Sequence, residues 1–131
     1  MKKTLRVAIA SAALLAGPTL VGLATPAAAS GGSGAVIRTG NCSGAADWKL
    51  KAKPDDGRLE VEFELDTNRN GQTWAVTITD NGTSVFSGNR TTVAPSGSFE
   101  IEIHPANRTG ADRIVATARR GGQTCTGTVT I

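Results

Sequence analysis

Residues 58–65 read RLEVEFEL, in which Leu59, Val61, Phe63 and Leu65 alternate with Glu60, Glu62 and Glu64. Successive side chains of a β-strand point to opposite faces, so this octet presents one apolar face and one anionic face. A helical period would scatter the two classes around a cylinder; strict alternation specifies a half-buried strand. Just upstream, residues 46–53, ADWKLKAK, repeat the pattern with Trp48, Leu50 and Ala52 set against Lys49, Lys51 and Lys53. Between them Pro54-Asp55-Asp56-Gly57 has turn chemistry, since proline presets φ, aspartate bonds locally and glycine accepts positive φ. The two runs therefore form a hairpin. Its solvated face carries a lysine row beside a glutamate row, each exposed pair contributing a few tenths to about 1 kcal/mol, and the two rows largely neutralise each other.

The pattern continues downstream. Residues 72–80, QTWAVTITD, turn Trp74, Val76 and Ile78 inward, and Asn81-Gly82 is a two-residue hairpin turn. A strand near 83–88 follows, then 97–104, GSFEIEIH, with Phe99, Ile101 and Ile103 on one face. A final pair, DRIVATAR and QTCTGTVTI, flanks Gly121-Gly122. No window after the N-terminal segment has apolar residues at helical spacing. About seven short strands joined by local connections specify an all-β, antiparallel, immunoglobulin-like sandwich, with a small closed barrel as the alternative architecture. Labelled A to G, the strands place the loops after B, D and F at one end.

Residues 1–29 have the composition of a secretory signal peptide: Lys2, Lys3 and Arg6 precede an apolar run that ends in Ala27-Ala28-Ala29. Gly17, Pro18 and Gly22 interrupt that run, which falls short of the roughly 18 to 20 apolar residues of a spanning helix. Residues 30–41 read as a flexible leader opened by SGGSG, and residues 42–131 as the sandwich domain. Cleavage removes three of the 14 basic residues, leaving 11 against 11 acidic ones. The processed chain is formally neutral and shows no overall basic footprint for nucleic acid or an anionic membrane. It is expected to be secreted and extracellular.

Two cysteines remain, Cys42 and Cys125. In an exported chain of this size their simplest arrangement is a mutual disulfide, with free thiols or an intermolecular bridge as alternatives. The strand order places both at the end that carries the loops after B, D and F. Such a bridge would differ from the B–F staple of antibody domains, although Trp74 on the third strand occupies the place of their core tryptophan.

The words CSGAADWKLKAKPDDGRLEVEFELDTNRNGQTW, SGSFE, TGADRIVATA and GGQTC resemble a family of small secreted proteins from high-GC Gram-positive bacteria, and the likeness spans most of the chain from Cys42 onward. The resemblance implies an immunoglobulin-like domain, an exported location and the Cys42–Cys125 pairing. It contributes no catalytic residue.

Residues 66–71, DTNRNG, match the opening of an EF-hand loop at Asp66, Asn68, Asn70 and Gly71. The match stops there: position twelve is Thr77 where the bidentate glutamate belongs, both flanks are strands, and a single carboxylate is offered. A strand connection built on residues that tolerate left-handed angles is the favoured reading, and a weak calcium site at Asp66, Asn68 and Asn70 the alternative. The sole histidine, His104, has no second histidine or free thiol to join, so neither a Cys-His dyad nor a usual zinc site can be assembled. The serines lack a Gly-x-Ser-x-Gly elbow. No catalytic residue and no cofactor is assigned. What remains is a binding or interaction module. Arg69, Asn89, Arg90, Arg119 and Arg120 fall on the three loops expected at one end, a candidate cationic rim for an unknown extracellular protein or cell-wall glycan. A small-molecule carrier and an inhibitor of an extracellular enzyme are the alternatives.

Overall fold

The computed structural model describes residues 34–131, so the expected signal peptide at residues 1–29 lies outside the described residues. Eight strands run in order: β1 Val36–Asn41, β2 Asp47–Asp55, β3 Arg58–Asp66, β4 Thr73–Asp80, β5 Thr83–Thr91, β6 Ser98–Ile103, β7 Arg113–Arg120 and β8 Gln123–Thr130. None of the described residues is helical. The hairpin that organises the chain is β2–β3, with Lys49 opposite Glu64, Lys51 opposite Glu62 and Lys53 opposite Glu60. Its turn is narrower than the sequence suggests. β2 runs through Pro54 to Asp55, and Asp56 (φ 52°) with Gly57 (φ 78°) makes a two-residue connection with both central residues left-handed. Pro54 is tolerated because β1 covers β2 only as far as Ala52. Asn81 (φ 50°) and Gly82 (φ 88°) close β4–β5 in the same way.

Two four-stranded antiparallel sheets result, ordered β1-β2-β3-β6 and β5-β4-β7-β8. With β1 set aside, these are the orders A-B-E and C′-C-F-G of an immunoglobulin-like sandwich, in which the strand after C pairs with C and not with E. The interior is filled by alternate residues of both sheets. Leu50, Ala52, Leu59, Val61, Phe63 and Leu65 meet Trp74, Val76, Ile78, Ile114, Ala116, Ala118 and Val129. Full burial of each large aliphatic or aromatic side chain contributes about 1.5 to 3 kcal/mol.

Strand β1 corrects the expected flexible leader at residues 30–41. Its sequence VIRTGN has no clean alternation, and only part of it is sheltered. It forms because β2 offers an edge and because Gly40 leaves room for the Trp48 ring: a β-carbon at residue 40 would lie 2.7 Å from Trp48 Cζ2. Cys42 follows β1 directly and bonds Cys125 on β8, tying the first sheet to the second. The Ser43 N–H donates to Thr124 O, and the Thr124 N–H donates to Ser43 Oγ, so the bridge sits inside a short backbone clasp.

Candidate functional site

The connections after β3, β5 and β7 share one end of the sandwich and bring the five candidate rim residues to it. Their directions differ. Ala75 is the register partner of both Asn89 and Arg119, so these two side chains flank it on the outer face of the second sheet. Arg90 lies opposite Trp74 in the inward phase of an edge strand. Its guanidinium carbon stands 4.9 Å from the Phe86 ring centroid, which draws it away from the others as a cation–π partner. Arg69 is exposed in the β3–β4 connection and Arg120 is exposed as the last residue of β7, beside the Gly121-Gly122 turn. Among the described residues, no carboxylate lies within ion-pair distance of Arg69, Arg90, Arg119 or Arg120.

The DTNRNG loop that carries Arg69 is pinned from both sides. Asp66 Oδ1 accepts the Asn68 N–H at 3.0 Å, a local aspartate turn with Asn68 at φ 60°. Thr67 is buried; its hydroxyl accepts the Arg69 N–H and reaches Gly97 O in the β5–β6 connection. Thr92 completes the lock by accepting the Gln72 N–H on Oγ1 and the Gly71 N–H on its carbonyl. Gly97 (φ 73°) allows the two loops to touch backbone to backbone, since a β-carbon there would fall 2.2 Å from Arg69 N. Asp66 thus serves the turn. Among the described residues, no group of three or more histidine, cysteine or acidic side chains is placed to hold a metal.

The outer face of the first sheet holds features that the sequence reading missed. The lysine and glutamate rows pair as expected, with Lys51 Nζ 2.8 Å from Glu62 and 3.4 Å from Glu60. A hydrogen bond to Glu60, then one to Lys51, holds Glu62 below the ordinary carboxyl value, and the bond to Glu62 raises Lys51 above the ordinary ammonium value. But β6 adds a third row: Glu102 lies opposite Glu62 and Glu100 opposite Glu64. Together with Asp47, Asp55 and Asp66, eight carboxylates face three lysines and Arg58, so the two rows do not neutralise the face. At one corner Asn41, Asp47 and Asp66 stand in register across three strands, and with Thr39, Glu64 and Trp48 they line a groove of about 400 Å³. The signal for the third row was present in FEIEI, where Glu100 and Glu102 alternate with the apolar residues; its position beside β3 was not.

At the opposite end His104 is held between two carboxylates, with Nε2 2.9 Å from Glu102 Oε2 and Nδ1 3.6 Å from Asp55 Oδ2. Two further acids, Asp80 at the end of β4 and Asp112 just before β7, are wholly enclosed. Asp80 was legible as unusual, because it extends the inward series Trp74, Val76, Ile78 by one more step. Its partner was not.

Compared with family models, with curated proteins and with solved structures, the chain finds no match.

Proposed function

We propose that the protein is a secreted, non-enzymatic binding module that acts outside the cell, grouped with small secreted immunoglobulin-like proteins, and that its arginine-bearing end takes an anionic or carbohydrate-like ligand on an extracellular protein or cell-wall glycan. One observation supports this reading: Arg69 in the connection after β3 and Arg119 and Arg120 at the end of β7 lie at one end of the sandwich, and among the described residues no carboxylate is within ion-pair distance of them. Binding loops on sandwiches are commonly grouped at one end on a rigid scaffold. Here the Thr67, Thr92 and Gly97 contacts and the Cys42–Cys125 bridge supply that rigidity. A disulfide suits an oxidising, extracellular setting. The non-enzymatic reading is supported by the engagement of both cysteines in the bridge and of the His104 Nε2 by Glu102.

The test is retention on purified peptidoglycan and capture of partners from native culture medium, comparing the wild type with R69E/R119E/R120E. The reading expects retention that weakens with salt and is lost in the triple variant. Equal retention of both proteins would remove it.

A second reading, a small-molecule carrier, is favoured by the groove beside Trp48. Its carboxylate-rich lining suits a polar, cationic cargo. Mass spectrometry of small molecules released from the natively purified protein tests this, and an empty protein from native medium would count against it.

A further inference from the structure

Asp80 ends β4 in the phase of the core, and Asp112 immediately precedes β7; both are 0 % exposed. As carboxylates, none of their four oxygens has a hydrogen-bond donor. Arg108 faces Asp80, with its Nε 3.6 Å from Oδ2, outside hydrogen-bond reach. In the β4–β7 register Asp80 lies opposite Ile114, and Asp112, two residues earlier in the same inward phase, is its diagonal neighbour, so a bond between the two carboxyls is the one left to them. Two acceptors can form that bond only if one of them carries a proton. Two buried negative charges against one guanidinium would also leave a charge uncompensated, which is strongly destabilising.

A divalent cation is the other way to neutralise such a pair, but calcium takes six or more oxygen ligands. The neighbouring carbonyls each already accept one N–H. Ala111 O accepts from Asn81 Nδ2, Asp112 O from the Ile131 N–H and Arg113 O from the Asn81 N–H. Among the described residues, no third acidic or histidine side chain completes a metal cluster.

We propose that Asp80 and Asp112 share a single proton in the folded protein and form a pH-dependent latch that fastens the β6–β7 connection and the last residue of β8's chain segment to the end of β4. The bonds around the pair define what the latch holds. Asn81 bridges to Ala111 and Arg113, and Asp112 exchanges both backbone hydrogen bonds with Ile131.

Burial, then the charge and hydrogen bond of Asp112, raise Asp80 above its ordinary value of 3.8, with Arg108 opposing. The folded state therefore keeps a proton that the unfolded chain releases above about pH 4. The latch's contribution is complete below that pH, declines as pH rises, and is gone above the folded-state value. The unfolding constant should rise up to about tenfold per pH unit within this window.

Urea unfolding of the processed, disulfide-bonded protein from pH 4 to pH 8, wild type against Asp80→Asn, tests the latch, because an amide at residue 80 can donate to Asp112 without titrating. The expected result is a wild-type midpoint that falls with pH relative to D80N, with D80N the more stable at pH 8. Hydrogen exchange at the amides of Asn81, Arg113 and Ile131, corrected for intrinsic pH dependence, should accelerate with pH in the wild type alone. Parallel pH profiles, or a D80N protein less stable at every pH, would overturn the proposal. So would calcium stabilising the wild type at pH 8 and not D80N, which would make the pair a metal site. If D80N does not fold, carboxyl-carbon NMR titration of the wild type decides. One proton retained by the pair well above pH 4 supports the latch, and two independent titrations near pH 4 refute it.

Discussion

The six-membered ring of Trp48 lies against the backbone of Gly127, so close that a β-carbon at residue 127 would stand 2.6 Å from Cζ3. The same indole covers Gly40 on the neighbouring strand. Trp48 thus closes one side of the sandwich, reaching from β2 under β1 to β8, and the Cys42–Cys125 bridge lies along the same side. Gly127 is buried, and the ring cannot withdraw without uncovering the core. Gly127→Ala should therefore lower stability by about 1 to 3 kcal/mol through overpacking, read as a reduced urea midpoint with an unchanged slope.

Gly97→Ala attacks the contact between the two arginine-end loops. Residue 97 has φ 73°, and the added carbon would meet the Arg69 backbone, which has no rotamer to change. Strain in the left-handed region alone costs about 1 kcal/mol, and the collision adds to it. The expected outcome is a loss of more than about 1 kcal/mol, with faster hydrogen exchange at the amides of Thr67 and Gly71. Because the strand core is remote, the core amides should slow or hasten only with global stability.

Cys42 and Cys125 are 83 residues apart in sequence, so their bond closes most of the domain into one loop. On the chain-entropy model, replacing both with serine should cost about 4 to 5 kcal/mol. Much of a small domain's stability is of that size. The double variant, or the wild type under a reductant, should melt at a markedly lower temperature by calorimetry, and β1 should be the first strand to lose exchange protection.

On the acidic side of the pH profile, Glu62 is decisive. Its folded-state value is depressed below the ordinary 4.5, so its contribution is full above that pH and is lost as pH falls through the lower folded value. The Asp80 latch has the opposite sign. The protein should consequently be most stable in mild acid. Lys51→Met removes the ammonium that Glu60 and Glu62 share, should cost about 1 kcal/mol at neutral pH, and should flatten the acid limb of a thermal-melting series run down to pH 2.

The local devices were legible because each is encoded in a few adjacent residues. Alternation over residues 58–65 yields a strand whatever surrounds it, and Asp56-Gly57 and Asn81-Gly82 supply left-handed angles that few other pairs adopt at low cost. The candidate rim was legible in part. All five residues reach one end, yet Arg90 is claimed by Phe86, because an edge strand turned this residue inward beside an aromatic ring. Strand β1 was hidden, since VIRTGN has no period and is ordered only by what it covers.

By itself, the sequence determined the strand periods, the hairpin turns, the apolar and charged faces, and the two cysteines. Only the tertiary structure decided that Glu100 and Glu102 stand beside Glu62 and Glu64, that Trp48 is received by two glycines 87 residues apart in number, and that Asp80 and Asp112 are both enclosed with no donor to their carboxyl oxygens. The physical reason is the range of each interaction. Backbone angles and side-chain alternation are settled within a few residues, whereas burial and charge proximity depend on which distant strands become neighbours when two sheets close over one core.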